Sequence, residues 1–186
     1  MKRPQGNNKI YRIAFTALMA AIVNLMTFFR FPVLGSKVHL ANSMCLLSGL
    51  LLGAPLGGLA AGIGSGLYDA LWGGYDIAQC LITAVSKFAM AFVCAKVAGG
   101  GAVSPKGKRV VGGCILGAFL YLVLYALKTY IYQRYVYGFP IDAVWVTVLS
   151  KMPAATINFV VACIITPILY ASIQPALKKA GYFEKI

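Results

Sequence analysis

Acidic side chains are nearly missing from this sequence: four Asp and Glu stand against 17 Lys and Arg in 186 residues, beside a single histidine. Charge of either sign is scarce, at 11% of residues, where soluble domains carry roughly 25%. That scarcity leaves no segment able to form a soluble domain. The five cysteines, Cys45, Cys80, Cys94, Cys114 and Cys163, are dispersed through apolar runs without a CxxC pair. With one histidine available, a zinc or other metal centre has no ligand pattern, and the thiols read as small buried hydrophobes. No GxxxxGK[ST] cradle occurs, so the chain does not draw on ATP by itself and needs no nucleotide or other cofactor. Ser65 in GIGSG has no base evident beside it, which leaves glycine packing as the explanation of its setting. Twelve helices in matched halves, as many secondary transporters have, are absent too.

What is present is apolar: 60% of the residues are hydrophobic. A bilayer core of about 30 Å takes roughly 20 helical residues. Six segments qualify, near 9–29, 39–53, 55–72, 77–97, 110–137 and 143–177, the second short and the last longer than a span needs. The fold class expected is an all-α integral membrane protein, one six-helix domain over 1–186 with six transmembrane helices. The first segment lacks a convincing cleavage site and reads as a span rather than a removed leader. Residues 1–8 and 178–186 form tails, and the glycine-rich basic stretch 99–109 a flexible loop. The net charge of +13 would suggest nucleic acid in a soluble chain. Here the bases flank apolar segments, so the lipid bilayer accounts for them and no nucleic acid is implied. Placing the N-terminus inside puts Lys2, Arg3, Lys9, Arg12, Lys96, Lys106, Lys108, Arg109, Lys178, Lys179 and Lys185 on the inner side. Only Arg30, Lys37, Lys128, Arg134 and Lys151 then fall outside, so positive-inside bias places both termini in the cytoplasm.

Two lysines break the apolar pattern, Lys87 in LITAVSKFAMAFV and Lys151 in VTVLSKMPAATINF. A charge at the centre of a helix in hydrocarbon costs roughly 2.5–3.5 kcal/mol on insertion scales, so each marks a polar site. At 1.5 Å per residue Lys87 lies about 15 Å below Ile77 and Lys151 about 12 Å below Ala143. The two therefore share a level if their helices face one another. Gln79 and Thr83 sit above Lys87 on its face, and Asn158 lies two turns below Lys151. The alternative for either lysine is snorkelling, or pairing with Asp69, Asp76 or Asp142. The loop FFRFPVLGSKVHLANS places Arg30, Lys37 and His39 among phenylalanines, which reads either as a lid over a pocket or as an interfacial aromatic belt. Gly58, Gly62 and Gly66 recur every four residues, a small-residue stripe that lets helices approach closely. Ala17 and Ala21 form an AxxxA in RIAFTALMAAIV, open both to packing inside the bundle and to docking a partner.

The patterns RIAFTALMAAIV and VHLANSMCLLSGLLLGAPLGGLAAGIGSGLYD, with six spans and a polar outer pocket, resemble the substrate-binding S component of energy-coupling factor (ECF) vitamin transporters. The resemblance covers nearly the whole chain. It implies a binding subunit rather than an enzyme, in the plasma membrane of a prokaryote, which takes a vitamin or precursor from outside. It further implies a transmembrane coupling subunit and two ATPase subunits as partners, with Ala17 and Ala21 facing the coupling subunit. Pocket positions carried over are Lys87, Lys128, Lys151 and Asn158 on the helices and Arg30 and His39 in the loop. Charge alone favours an anionic substrate such as pantothenate, with riboflavin less favoured although aromatic residues would stack on its ring. A stand-alone carrier or channel and an intramembrane enzyme are the competing classes.

Overall fold

The computed structural model describes residues 5–33, 36–101, 105 and 107–184. Lys2, Arg3, Lys106 and Lys185, four of the bases assigned to the inner side, lie outside these described residues. Six α-helices run in alternating directions: α1 Gln5–Phe28, α2 Ala41–Leu52, α3 Ala54–Tyr68, α4 Ile77–Ala98, α5 Lys108–Ile131 and α6 Ile141–Lys179. Four of them, α1, α4, α5 and α6, are long and apolar enough to cross a membrane. The other two are shorter, α2 with 12 residues, as expected of its short segment, and α3 with 15. At 1.5 Å per residue α2 reaches about 18 Å and α3 about 22 Å before it continues into the π turn Asp69–Gly73.

The short α2 is buried along its whole length, all 12 residues of it. It packs against α1, α3, α4, α5 and α6 and so forms the axis of the bundle. A helix with no exposed face cannot be amphipathic, and its sequence ANSMCLLSGLLL duly alternates small and large residues without a polar side. Of its two buried hydroxyls, that of Ser48 is satisfied within the protein, while Ser43 Oγ has no hydrogen-bond partner among the described residues. Ser48 Oγ donates to the carbonyls of Cys45 (2.7 Å) and Gly57 (2.9 Å), and Thr166 Oγ1 of α6 donates to Ser43 O at 3.2 Å.

Glycine makes this crowding possible. A Cβ on Gly49 would lie 2.4 Å from the carbonyl oxygen of Ala91 in α4, and one on Gly57 would lie 2.5 Å from the Gly49 Cα. The α2–α3 reversal turns on Gly53, which has φ +81° and caps both helices, with Pro55 entering the first turn of α3. The stripe Gly58, Gly62 and Gly66 faces α4, against Phe88, Ala84 and Cys80. It is a packing surface rather than a groove. On the other side of α3, Gly64 meets the Ala20 carbonyl and Val23 of α1.

One segment departs from the sequence-based expectation, and two others gain detail. The first loop is an antiparallel hairpin of β1 Arg30–Val33 and β2 Ser36–His39, so His39 belongs to a strand and not to the second helix. The stretch 99–109 is anchored at its start, where Gly101 N–H donates to Leu50 O at 3.2 Å. The C-terminal tail folds back in a 3₁₀ turn, Tyr182–Glu184, whose Tyr182 stacks edge-on against Phe15 of α1 at 4.7 Å.

Gly49→Ala places a methyl against backbone that has no freedom to yield. We expect a loss of about 1–3 kcal/mol, read as a lower melting temperature in detergent. Gly112→Ala is the matched control, since a Cβ there meets nothing within 4 Å, and it leaves the melting temperature unchanged or slightly raised.

Candidate functional site

The hairpin, the C-terminal ends of α3 and α5, the N-terminal half of α4 and the middle of α6 border a cavity of about 510 Å³. That size lies within the roughly 300–1,000 Å³ usual for small-molecule pockets. All eight residues expected in a binding site, Arg30, His39, Gln79, Thr83, Lys87, Lys128, Lys151 and Asn158, line this one cavity.

Lys87 is 3% exposed. It forms no ion pair among the described residues. Its ammonium donates to Asn42 Oδ1 at the head of α2 and sits 3.6 Å from the centroid of the Tyr121 ring on α5. A neutral amide and an aromatic face thus hold the ammonium group at the cavity wall. Snorkelling does not describe it. Lys128, one turn from the end of α5, donates to Thr83 Oγ1 at 2.9 Å and to Gln79 O at 3.4 Å, bridging α5 to α4. Lys151 is half-buried on the cavity wall, and the charge of Lys128 lies near enough to repel it. Pro153, two residues on, cannot donate to the carbonyl of residue 149, which loosens α6 beside this lysine.

Asn158 is 7% exposed and acts on the hairpin as much as on the cavity. Its Oδ1 accepts the His39 backbone N–H at 2.9 Å, and its Nδ2 donates to Lys37 O at 2.8 Å. One side-chain amide therefore satisfies two backbone groups of β2, as a neighbouring strand would. The hairpin is held on α6 and covers the cavity, with the Arg30 guanidinium 5.3 Å from the Tyr68 ring centroid. The His39 ring has a buried Nδ1 with no hydrogen-bond partner among the described residues. Burial, then the positive charges of Lys87 and Arg30, push the His39 pKa down from 6.5 to about 3, so the ring is neutral near pH 7.

Gln79 works at the mouth. Its Nε2 donates to Asp76 Oδ2 at 2.9 Å and to Tyr137 Oη at 3.2 Å. Asp76 caps α4 by accepting the Gln79 N–H at 2.8 Å, and these amide bonds hold its carboxyl below the usual carboxylate range. Both α3 and α5 end in widened π turns, Asp69–Gly73 and Tyr132–Val136. These turns bring Asp69, Tyr132 and Gln133 to the cavity. Ser65 also borders it, 3.7 Å from the Cys45 thiol.

Asn42 had no role assigned from the sequence, and the tyrosine wall went unread. A signal existed: Ala118, Tyr121, Tyr125, Lys128 and Tyr132 fall at i, i+3, i+7, i+10 and i+14 in GAFLYLVLYALKTYIY, one face of a helix. Five of its members line the cavity. Ala17 and Ala21 lie elsewhere. Both are exposed on α1, on the side away from Met19, Ala20 and Val23, which enter the core.

A basic and aromatic cavity, roofed by a hairpin and set in a six-helix apolar bundle, is the architecture of a membrane protein with room for a small molecule. The family of the ECF-type riboflavin transporter S component matches residues 7–175, and the chain belongs to this family. Among solved structures, the S component of a bacterial ECF transporter shares the fold with a TM-score of 0.72 at 17% sequence identity, over 91% of this chain and 99% of that one. No curated protein matches the sequence significantly. S components are substrate-binding transport subunits and not enzymes, and they work with coupling and ATPase subunits.

The depressed His39 pKa has a defined consequence. Between pH 6.5 and about 3 the unfolded chain takes up a proton that the folded one refuses, so this contribution to stability is complete above 6.5 and is lost as the pH falls through that window. Melting temperatures measured from neutral to acid pH will fall less steeply for His39→Gln than for the parent. Parallel slopes would show that the ring is not held neutral.

Proposed function

We propose that this chain is the riboflavin-binding S component of an ECF importer. The observation that carries the reading is the cavity wall, which Tyr68, Tyr75, Tyr121 and Tyr125 line together with the donors Lys87, Lys128 and Arg30. A flavin is a flat, uncharged ring system with a carbonyl-rich edge and a hydroxylated side chain. Tyrosine faces suit the ring, and buried ammonium donors suit the carbonyl edge. Net charge favours pantothenate only while the surroundings of the cations are left aside. Lys87 is held by an amide and a ring, so it needs an acceptor and not specifically a carboxylate. The family's name points the same way. Pantothenate remains the second reading, carried by the surplus of cations over Asp69 in the cavity.

The topology that fits this reading places both termini in the cytoplasm, with the hairpin and cavity mouth outside. The short helices α2 and α3 complete six spans by packing within the bundle. The exposed Ala17 and Ala21 offer the coupling subunit a smooth face on α1, which suits an association that forms and dissociates in lipid. ATP hydrolysis by two partner ATPases would then drive release inside, in the plasma membrane of a prokaryote.

Titration of riboflavin with the purified chain, followed by loss of flavin fluorescence, tests the substrate. Tight binding that excess pantothenate does not reverse is expected. Competition by pantothenate, with no flavin quenching, would overturn the reading. Lys87→Ala removes a charge-assisted bond worth about 1.5–3 kcal/mol, so riboflavin affinity should fall roughly 10- to 150-fold while the melting transition persists. Ala17→Trp and Ala21→Trp should leave binding intact and abolish co-purification with the coupling subunit and uptake into cells. Uptake at the parental rate would remove α1 from the interface.

A further inference from the structure

A second cavity, of about 260 Å³, lies at the opposite end of the bundle between α1, α2 and α6. Phe15 and Met19, Leu47 and Leu51, and Ile173 and Leu177 line it, one pair from each helix. With Ile22, Met44 and Leu169 the lining extends over seven or eight residue steps of each helix, so the groove runs along the helix axes for about 10–12 Å at 1.5 Å per residue. It contains almost nothing that could recognise a polar molecule, and a vitamin has no partner there. Tyr182 closes its end, where the C-terminal turn stacks on Phe15.

The end of the groove is basic. Lys9 and Arg12 are exposed at the start of α1, and Arg12 is three residues before Phe15 and so on its face. Lys178 and Lys179 are exposed directly after Leu177, and Glu184 in the C-terminal turn is the one acid beside them among the described residues. An apolar slot parallel to the helices with a cationic rim has the two-part chemistry of a phospholipid, chain below and phosphate above. We propose that this groove is a binding site for an anionic phospholipid of the leaflet at the basic end. One acyl chain lies between α1, α2 and α6, and the headgroup meets Arg12, Lys178 and Lys179. The site is independent of which vitamin the polar cavity takes.

The full chain, reconstituted in nanodiscs of mixed phosphatidylglycerol and phosphatidylcholine and released for native mass spectrometry, reads the site directly. The parent should retain phosphatidylglycerol at least several-fold over phosphatidylcholine. Arg12→Gln/Lys178→Gln/Lys179→Gln should lose that preference, and Ile173→Trp, which fills the slot, should retain less of either lipid. Equal retention of the two lipids by the parent, or a preference that survives the triple substitution, overturns the proposal. If the triple variant does not fold, the parent alone decides: its melting temperature rises more with added phosphatidylglycerol than with phosphatidylcholine, and equal shifts overturn the proposal. Crosslinking of an Ile173→Cys chain to the coupling subunit, with no lipid retained, would assign the groove to protein and likewise overturn it.

Discussion

Everything in this bundle depends on a helix without a surface. The 12 residues of α2 are enclosed by five other helices, and that enclosure requires backbone to approach backbone. The approach of Gly49 to Ala91 O and of Gly57 to Gly49 sets the separations of α2 from α4 and α3. In lipid, apolar side chains gain little by leaving their surroundings, so close packing and internal hydrogen bonds must supply the cohesion. The bonds of Ser48 and Thr166 to neighbouring carbonyls perform the second part of that task. With α2 fixed, its first turn points Asn42 at Lys87, and the polar cavity acquires its floor.

The cavity shows why a count of charges is a poor guide to a ligand. Lys87 and Lys128 are both cationic residue types, yet their immediate partners are an amide, a ring, a hydroxyl and a carbonyl. Such partners hold a cation in place without neutralising it. What lines the cavity is a set of donors among tyrosine side chains, so in the proposed reading selectivity would lie in shape and stacking as much as in net charge. Asn158 illustrates a second division of labour. The residue looked like part of a polar stripe for substrate, and its amide in fact carries the hairpin that roofs the cavity.

The helices were legible because apolar length is a strong signal and because Gly53-Ala54-Pro55 punctuates α2 and α3 in the usual way. The grouping of Lys87, Lys151, Gln79, Thr83 and Asn158 was legible from depth, since helices entering from one side place residues of equal offset at one level. The hairpin was hidden because RFPV and SKVH are too short to show alternation against an aromatic background. The burial of α2 was hidden because a lipid-facing helix and a wholly buried one are equally apolar in sequence. The tyrosine face of α5 was present in the spacing, but it was masked by the uniform hydrophobicity around it.

The two ends of the molecule are joined by different kinds of contact. Toward the basic end, Gly49, Gly57, Gly100, Gly113 and Gly117 bring main chain within van der Waals range of main chain. Toward the cavity, the elements are tied by single side chains: Asn158 to the hairpin, Gln79 to Tyr137, Arg30 over Tyr68. Main-chain contact of this kind has no slack, whereas a side-chain tie can exchange one partner for another. The bundle is therefore mechanically graded, stiff at one pole and compliant at the other. A ligand entering at the compliant pole can rearrange its roof while the stiff pole keeps a constant shape for whatever must recognise it from the opposite side.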